Sequence, residues 1–302
     1  VRLLFYLYEV KMGLFSFFSE SNVLYFPGEV TYFKFRDNFE LYKKIFYKLG
    51  IDFKVFDNHI SSGLKALELG YEFEARKLAR SNFELFKEKN IISIITNSPE
   101  DYKMFLQNYP ELLSDWYVSV KNIWEIIFEK LMNKPGLIKY KAMEVVGFHD
   151  SCYLGRYCGI YRKPREILEI IGYEIKEMSD SVDESICCGS CGGLTITNPE
   201  LANKIAKNRI LQAKRVGIKK LIVCSMENYE LLKRNSENSG VEVLELSDVL
   251  SLALGISQPE DKEFNEEISK EEELVLEAKG EKMLANELKE EKDELWEKIY
   301  DE

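Results

Sequence analysis

The first half of this 302-residue chain contains no cysteine, and the whole chain holds only 2 histidines and 7 prolines. All six cysteines fall between Cys152 and Cys224. A secreted disulfide framework distributes its cysteines along a much shorter chain, so this clustering points to metal or redox chemistry in a reducing compartment. Basic charge is not in excess either. Residues 256–302 hold 18 acids and 7 lysines, which leaves 34 of each sign in residues 1–255 and accounts for the whole net charge of -11. A neutral body with an acidic appendix leaves no basic stripe for phosphates and argues against a nucleic-acid-binding surface. A spanning helix needs ~20 apolar residues. The opening run VRLLFYLYEVKMGLFSFF is broken by Arg2, Glu9 and Lys11 and carries no small-residue cleavage site, so we expect no membrane insertion and a cytoplasmic location. The remainder, 45% hydrophobic and 31% charged, is the composition of a globular chain.

Apolar strand-like runs alternate with helical patterns: Val23 to Phe26, a helix over Phe39 to Leu49, Phe53 to Phe56, a helix over Glu72 to Lys89, then Ile91 to Thr96. The same order returns as Val145 to Phe148, Arg165 to Ile171, Tyr173 to Ile175, Leu201 to Val216 and Lys220 to Val223. This predicts an α/β protein of two similar Rossmann-like lobes with parallel sheets, related by a pseudo-twofold internal repeat. The expected division is an N-terminal extension (1–19), a first lobe (20–112), a linker helix (113–136), a second lobe (137–255) and an acidic helical tail (256–302), where Leu284, Leu288, Leu295 and Ile299 keep helical spacing. The repeat sets Asn82 opposite Asn208, Glu29 opposite Cys152, Ser61-Ser62-Gly63 opposite Cys187-Cys188-Gly189, Ser98 opposite Cys224 and Asp101 opposite Glu227.

The chemistry therefore lies in the second lobe. Adjacent cysteines have Cα atoms about 3.8 Å apart, below the usual disulfide range, so Cys187 and Cys188 do not read as a structural bridge. Followed by Gly189, Ser190, Cys191, Gly192 and Gly193, they read as a loop wrapping a metal centre, its glycines bringing backbone N–H groups close to sulfur. Cys152 and Cys224 each follow a predicted strand at the carboxyl edge of a parallel sheet, where such folds present ligand-binding residues. Four thiolates from Cys152, Cys187, Cys188 and Cys224 suffice for a cubane [4Fe-4S] cluster or tetrahedral zinc. Cys158 reads as a small buried hydrophobe. Ser98, Pro99 and Glu100 read as the start of a helix: cap, first residue and first-turn acid.

The stretches FHDSCYLGRYCGIY, CCGSCGGL and VCSMENYELL, with YFPGE in the first lobe, resemble the CCG-domain proteins, among them heterodisulfide reductase catalytic subunits and glycolate oxidase iron–sulfur subunits. The resemblance covers roughly residues 20–255. In that family a complete motif carries five cysteines and holds a [4Fe-4S] cluster, sometimes non-cubane, or zinc. The resemblance implies Cys152, Cys187, Cys188 and Cys224 as ligands, while the family's fifth cysteine is replaced here by Glu227. Glu227 through oxygen, or Cys191 from the same loop, is the candidate extra ligand; a four-cysteine cubane is the alternative. His149 matches a family position, either hydrogen-bonding the cluster or passing a proton to a substrate thiolate, with a packed strand-end histidine as the other reading.

The implied activity is that of an iron–sulfur oxidoreductase subunit moving electrons to or from a disulfide or other small substrate. The run C-x2-C-x2-C-x3-C is absent from the sequence. The resemblance therefore implies a ferredoxin-like iron–sulfur subunit as electron partner. The first lobe has lost every ligand, which also fits a non-catalytic zinc- or cluster-binding protein that assembles or senses.

Overall fold

The computed structural model describes residues 21–256, so the N-terminal extension and the acidic tail lie outside the described residues. Strand β1 (Val23–Tyr25) leads into helix α1 (Arg36–Leu49), helix α2 (Glu72–Glu88) and strands β2 (Ser93–Ile95) and β3 (Ser119–Lys121). Helix α3 (Ile123–Asn133) joins the halves. The second half runs β4 (Glu144–Phe148), α4 (Arg162–Ile170), β5 (Tyr173–Ile175), α5 (Pro199–Arg215), β6 (Lys220–Val223), α6 (Met226–Ser236), β7 (Glu242–Glu245) and α7 (Leu246–Ala253). None of these helices is long and apolar enough to cross a membrane.

Both sheets are parallel, in the orders β1-β2-β3 and β5-β4-β6-β7. The expected strand at Phe53 to Phe56 shrinks to one bridge between Leu24 and Lys54, with the Tyr25 N–H donating to Lys54 O at 2.8 Å. That bridge occupies the place of β5, so the two sheets share one topology. β3, inside the stretch expected as linker helix, adds the strand that β7 supplies in the second sheet.

The helices follow their apolar spacing. In α1, Phe39, Tyr42, Ile45, Phe46 and Leu49 recur at three- and four-residue intervals and are buried. The helix stops at Gly50, whose φ of 66° lets its N–H return to the Phe46 and Tyr47 carbonyls. α5 begins with Asn198 accepting from the Leu201 N–H at 3.0 Å and Pro199 in the first turn, where the missing N–H costs nothing.

The internal repeat is real, but its register differs from the sequence expectation. Leu24 pairs with Ile94 and Tyr25 with Ile95, as Gly147 pairs with Leu221 and Phe148 with Ile222. Ser98 caps its helix through the Asp101 N–H, and Ser225 caps α6 through the Asn228 N–H. Ala75, Ala79, Asn82 and Phe83 are buried on α2; Ala202, Ala206, Arg209 and Ile210 are buried on α5. Ser98 is therefore the counterpart of Ser225, not of Cys224; Glu100 answers Glu227, Asp101 answers Asn228, and Asn82 answers Arg209. The cause is a one-residue difference after the glycine of each motif loop: Gly63 lies against Ala75 O, and Gly189 against Ala202 O.

The lobes meet through contacts that exchange under this repeat. The turn Pro99–Lys103 packs on Tyr153–Tyr157, as α6 packs on Glu29–Phe33. One apolar core runs across both lobes, from Tyr25, Phe46 and Trp124 to Phe148, Leu221 and Leu250. A second, around Leu24, Phe83, Phe105 and Tyr109, takes in Cys152 and Tyr153.

A polar bond crosses the larger core: Tyr42 Oη donates to Glu245 Oε1 at 2.7 Å, and the other carboxylate oxygen accepts from the Ser247 N–H. Burial pushes the Glu245 carboxyl up to about 7, against a usual 4.5, although the bonds from Ser247 and Tyr42 pull it back. The folded chain thus retains a proton that the unfolded chain releases above pH 4.5. The contribution to stability is fully present below about pH 4.5 and is lost as pH rises through 7, amounting to about 3 kcal/mol. Urea denaturation at pH 5 and pH 8 should show a larger loss for the wild type than for Glu245→Gln; equal losses would show that Glu245 does not titrate with folding.

Candidate metal centre

Each motif loop leaves the carboxyl end of a strand. Cys152 follows β4 and opens the turn Tyr153–Tyr157; Cys187 to Gly193 lie between β5 and α5; Cys224 follows β6. In the loop, Gly189, Gly192 and Gly193 have φ of 96°, 67° and 67°. A Cβ on Gly189 would stand 2.8 Å from Ala202 O, so the loop lies against α5 only because that residue is glycine.

This path brings three sulfurs together. The Sγ atoms of Cys152, Cys187 and Cys191 all lie within 4.8 Å of one another, with Cys152 and Cys191 3.0 Å apart. Cys191, expected only as a possible extra ligand, is thus one of the three. Cys188 and Cys224, expected among the four ligands, stand outside this group. Cys188 Sγ turns toward Asn228 Nδ2 and Ser190 Oγ, each at 3.4 Å. Cys188 and Cys224 belong to the large core, whereas Cys152, Cys187 and Cys191 border the other apolar cluster. Cys158 is half-buried and outside the group, and burial pushes its thiol up to about 11.

The electrostatics are those of a single shared negative charge. Cys187 is held far below the ordinary thiol range by hydrogen bonds from Cys152, Cys188 and Cys191 and by the Gly189 N–H at 3.3 Å. Its neighbours move the other way: Cys152 and Cys188 are raised because each donates toward Cys187, and Cys191 because it donates toward Cys152 and Cys187, with burial adding to the effect. Cys224 is raised by burial in the first place. A metal cation at this point would let several of these thiols ionise together, and the donor set fits an iron–sulfur cluster or zinc.

Behind the loop, Arg209 Nε donates to His149 Nδ1 at 3.1 Å. Burial and the guanidinium hold His149 down at about 3, so it is a neutral imidazole with its proton on Nε2. Neighbouring Asp150 is gripped by Arg165 through both oxygens, at 2.6 and 2.8 Å, and accepts from the Val182 N–H.

The first lobe's motif positions fold to an equivalent place without sulfur. Glu29, Ser61, Ser62 and Asp101 line a small cleft with Phe26, His59 and Lys65. Ser62 Oγ donates to Asp101 Oδ1 at 2.5 Å, and Lys65 pairs with Glu29. Between the lobes, Ser225 Oγ donates to Glu100 Oε1 at 2.8 Å. Glu227 stands beside it, not among the three sulfurs. Burial pushes Asp101 up to about 6, Glu227 to about 7 and Glu100 well above the carboxylate range. Sequence reasoning missed Glu100 as Glu227's counterpart; the shared S-x-E spacing after β2 and β6 was the available signal.

One first-lobe side chain reaches the cysteine loop directly. Glu68 Oε1 accepts from the Gly192 N–H at 3.1 Å, and its carboxylate also takes the Gly193 N–H. Hydrogen bonds to a charged group contribute about 1.5–3 kcal/mol. In Glu68→Ala the Gly192 and Gly193 amides should exchange with deuterium roughly 10- to 100-fold faster, with β6 unchanged. Unaltered exchange at both glycines would remove Glu68 as the loop's anchor.

The model of the CCG cysteine-rich domain matches residues 23–104 and 146–227. Among curated relatives, the probable iron-sulfur-binding oxidoreductase FadF of Bacillus subtilis is 34% identical over 178 residues, covering 58% of this chain and 25% of that protein. A dihydromethanophenazine:CoB--CoM heterodisulfide reductase subunit of Methanosarcina acetivorans is 26% identical over 247 residues, 79% of this chain and 60% of that one. A probable membrane-anchored ferredoxin of Chromohalobacter salexigens is 27% identical over 213 residues, 69% and 32% of the two chains. The chain spans less than two thirds of the length of each. With one match on each lobe, and lobes that repeat one sheet topology, this protein belongs to the CCG cysteine-rich domain family.

Proposed function

We propose that the chain is an iron–sulfur oxidoreductase subunit, with one [4Fe-4S]-type cluster in the second lobe that passes electrons to or from a disulfide or another small substrate. The observation that carries this reading is the convergence of the Cys152, Cys187 and Cys191 sulfurs within 4.8 Å. The remaining ligands are drawn from Cys188, adjacent to Cys187, and Cys224 at the end of β6. A cluster bound there supplies one-electron redox chemistry.

The chain's own groups then have defined tasks. The Gly189 N–H donates to the Cys187 sulfur and offsets thiolate charge. Tyr153 and Cys152 pack into the apolar cluster with Phe105, keeping water from that side. Glu100 and Glu227, both raised by burial, hold protons near neutral pH beside the site. A disulfide is the favoured substrate because a relative is named as a heterodisulfide reductase subunit. The first lobe offers serines and carboxylates where a second cluster would need thiolates, so electrons come from a partner, a ferredoxin-like iron–sulfur subunit.

The same loss of thiolates favours one other reading, a zinc- or cluster-binding protein without substrate chemistry. Metal analysis of anaerobically purified protein, with EPR before and after reduction, separates the two. About four iron and four sulfide with a redox-dependent signal supports the oxidoreductase; one zinc without iron supports the other. Cys187→Ser and Cys191→Ser should each lose most of the metal, because a neutral hydroxyl does not replace a thiolate, while Ser61→Ala retains it. Full metal content in both cysteine variants would sink the assignment. Glu227→Gln should leave the cluster spectrum unchanged, and a shifted spectrum would make Glu227 a ligand.

A further inference from the structure

We propose that Arg209 is a positioning residue of the cysteine site: a permanent, buried positive charge that fixes the proton of His149 and offsets the negative charge of ionised thiolates. The proposal rests on the cluster reading above. Arg209 is fully buried at 0% exposure on α5. Its Nε donates to His149 Nδ1, and its Nη1 donates to Asp180 O at 2.7 Å and Gln212 Oε1 at 2.8 Å. Its Nη2 is buried and has no partner among the described residues. No carboxylate among the described residues forms an ion pair with it; Asp150 and Glu177 are held by Arg165, and Asp180 Oδ2 accepts from Gln212.

A guanidinium does not shed its proton, so burying one without a counter-charge is costly. The negative groups whose fields reach it are Asp150 first, then Cys188, Asp180 and Glu177, and the field of Cys187 reaches His149. Those carboxylates act on it without pairing with it directly, and a metal–thiolate site would add negative charge on the side of the cysteine loop. The internal repeat supplies the comparison. The counterpart of Arg209 in the lobe without cysteines is Asn82, neutral, whose Nδ2 donates to Ser61 O and Tyr109 Oη at 2.8 Å each. Where serines replace the thiolates, a neutral amide occupies the position; where the thiolates are present, a cation does.

Adding one electron to the site adds one negative charge and transfers no proton or bond. A fixed cation therefore favours the reduced state. In an EPR-monitored redox titration, Arg209→Gln should lower the ratio of reduced to oxidised cluster at fixed potential at least tenfold, a fall of about 59 mV for one electron. Arg209→Lys, which keeps the charge, should recover at least half of that shift. An unchanged potential in Arg209→Gln overturns the proposal. So does a lysine variant that behaves like the glutamine one. If neither variant folds, 15N shifts of His149 in the wild-type chain decide: the Nε2–H tautomer is expected, and an Nδ1–H tautomer or an imidazolium overturns the role of Arg209. A wild-type chain free of iron and sulfide overturns the cluster reading instead, and shows it before any variant is made.

Discussion

Ionisable groups withdrawn from water must be neutralised, and the region between the two lobes is arranged around that requirement. Glu100, Asp101, Glu227 and Glu245 move toward meeting it by holding protons more tightly: burial raises each one, and a serine or tyrosine hydroxyl donates to each. Cys187 meets it differently, by collecting thiol and amide hydrogens onto one thiolate. Arg209 has no protonation state with which to meet it. Every one of these groups lies at the end of a parallel strand or on the loop or helix that follows one, because parallel strands put all such connections on one edge. Two sheets with that edge turned inward make a seam rich in polar groups and shielded from solvent.

Duplication explains why a lobe without thiolates persists. Its sheet has the topology of the second lobe's sheet, and its loops take the same path, so it supplies surface that the second lobe cannot supply to itself. Cys152 and Tyr153 bury against Leu24, Phe83 and Phe105 of the first lobe. Glu68 of the first lobe holds Gly192 and Gly193 next to Cys191. Ser225 of the second lobe, in return, donates to Glu100 of the first. The cysteine site is thus a product of both lobes, although every sulfur comes from one.

Much of this is legible in the chain itself, because alternation of strand runs with amphipathic helices is a strong signal and a parallel α/β sheet has few ways to assemble. The Cys-Cys-Gly loop is legible for a similar reason: adjacent thiols followed by glycines have few structural uses. Register is not. Asn82 and Asn208 look alike in sequence, yet the buried faces set Asn82 against Arg209, since a single extra residue between Gly189 and Ala202 shifts everything after it. β3 and the bridge at Lys54 are also poorly marked, because three-residue or one-residue pairings carry no periodicity to detect. Motif position favours Cys188 and Cys224 over Cys191, and the three sulfurs that lie together are those of Cys152, Cys187 and Cys191. The direction of a side chain from a glycine-rich loop depends on φ values of 67° and 96° that sequence does not disclose.

The two lobes also show how chemistry and scaffold separate during divergence. A position such as Ser62 or Asp101 keeps the contact of its counterpart: Ser62 donates to Asp101, as Asn228 donates toward Cys188. What changes is the charge that each set imposes on the packing behind it. Carboxyl groups and hydroxyls can remain neutral by sharing protons, so the helix behind them needs only the amide of Asn82 to hold the loop carbonyl. Thiols that bind a metal must become thiolates, and the helix behind the gathered cysteines carries Arg209. On the reading proposed above, the buried residue on the backing helix answers the charge of the loop in front of it: an amide stands behind the serines and a guanidinium behind the cysteines.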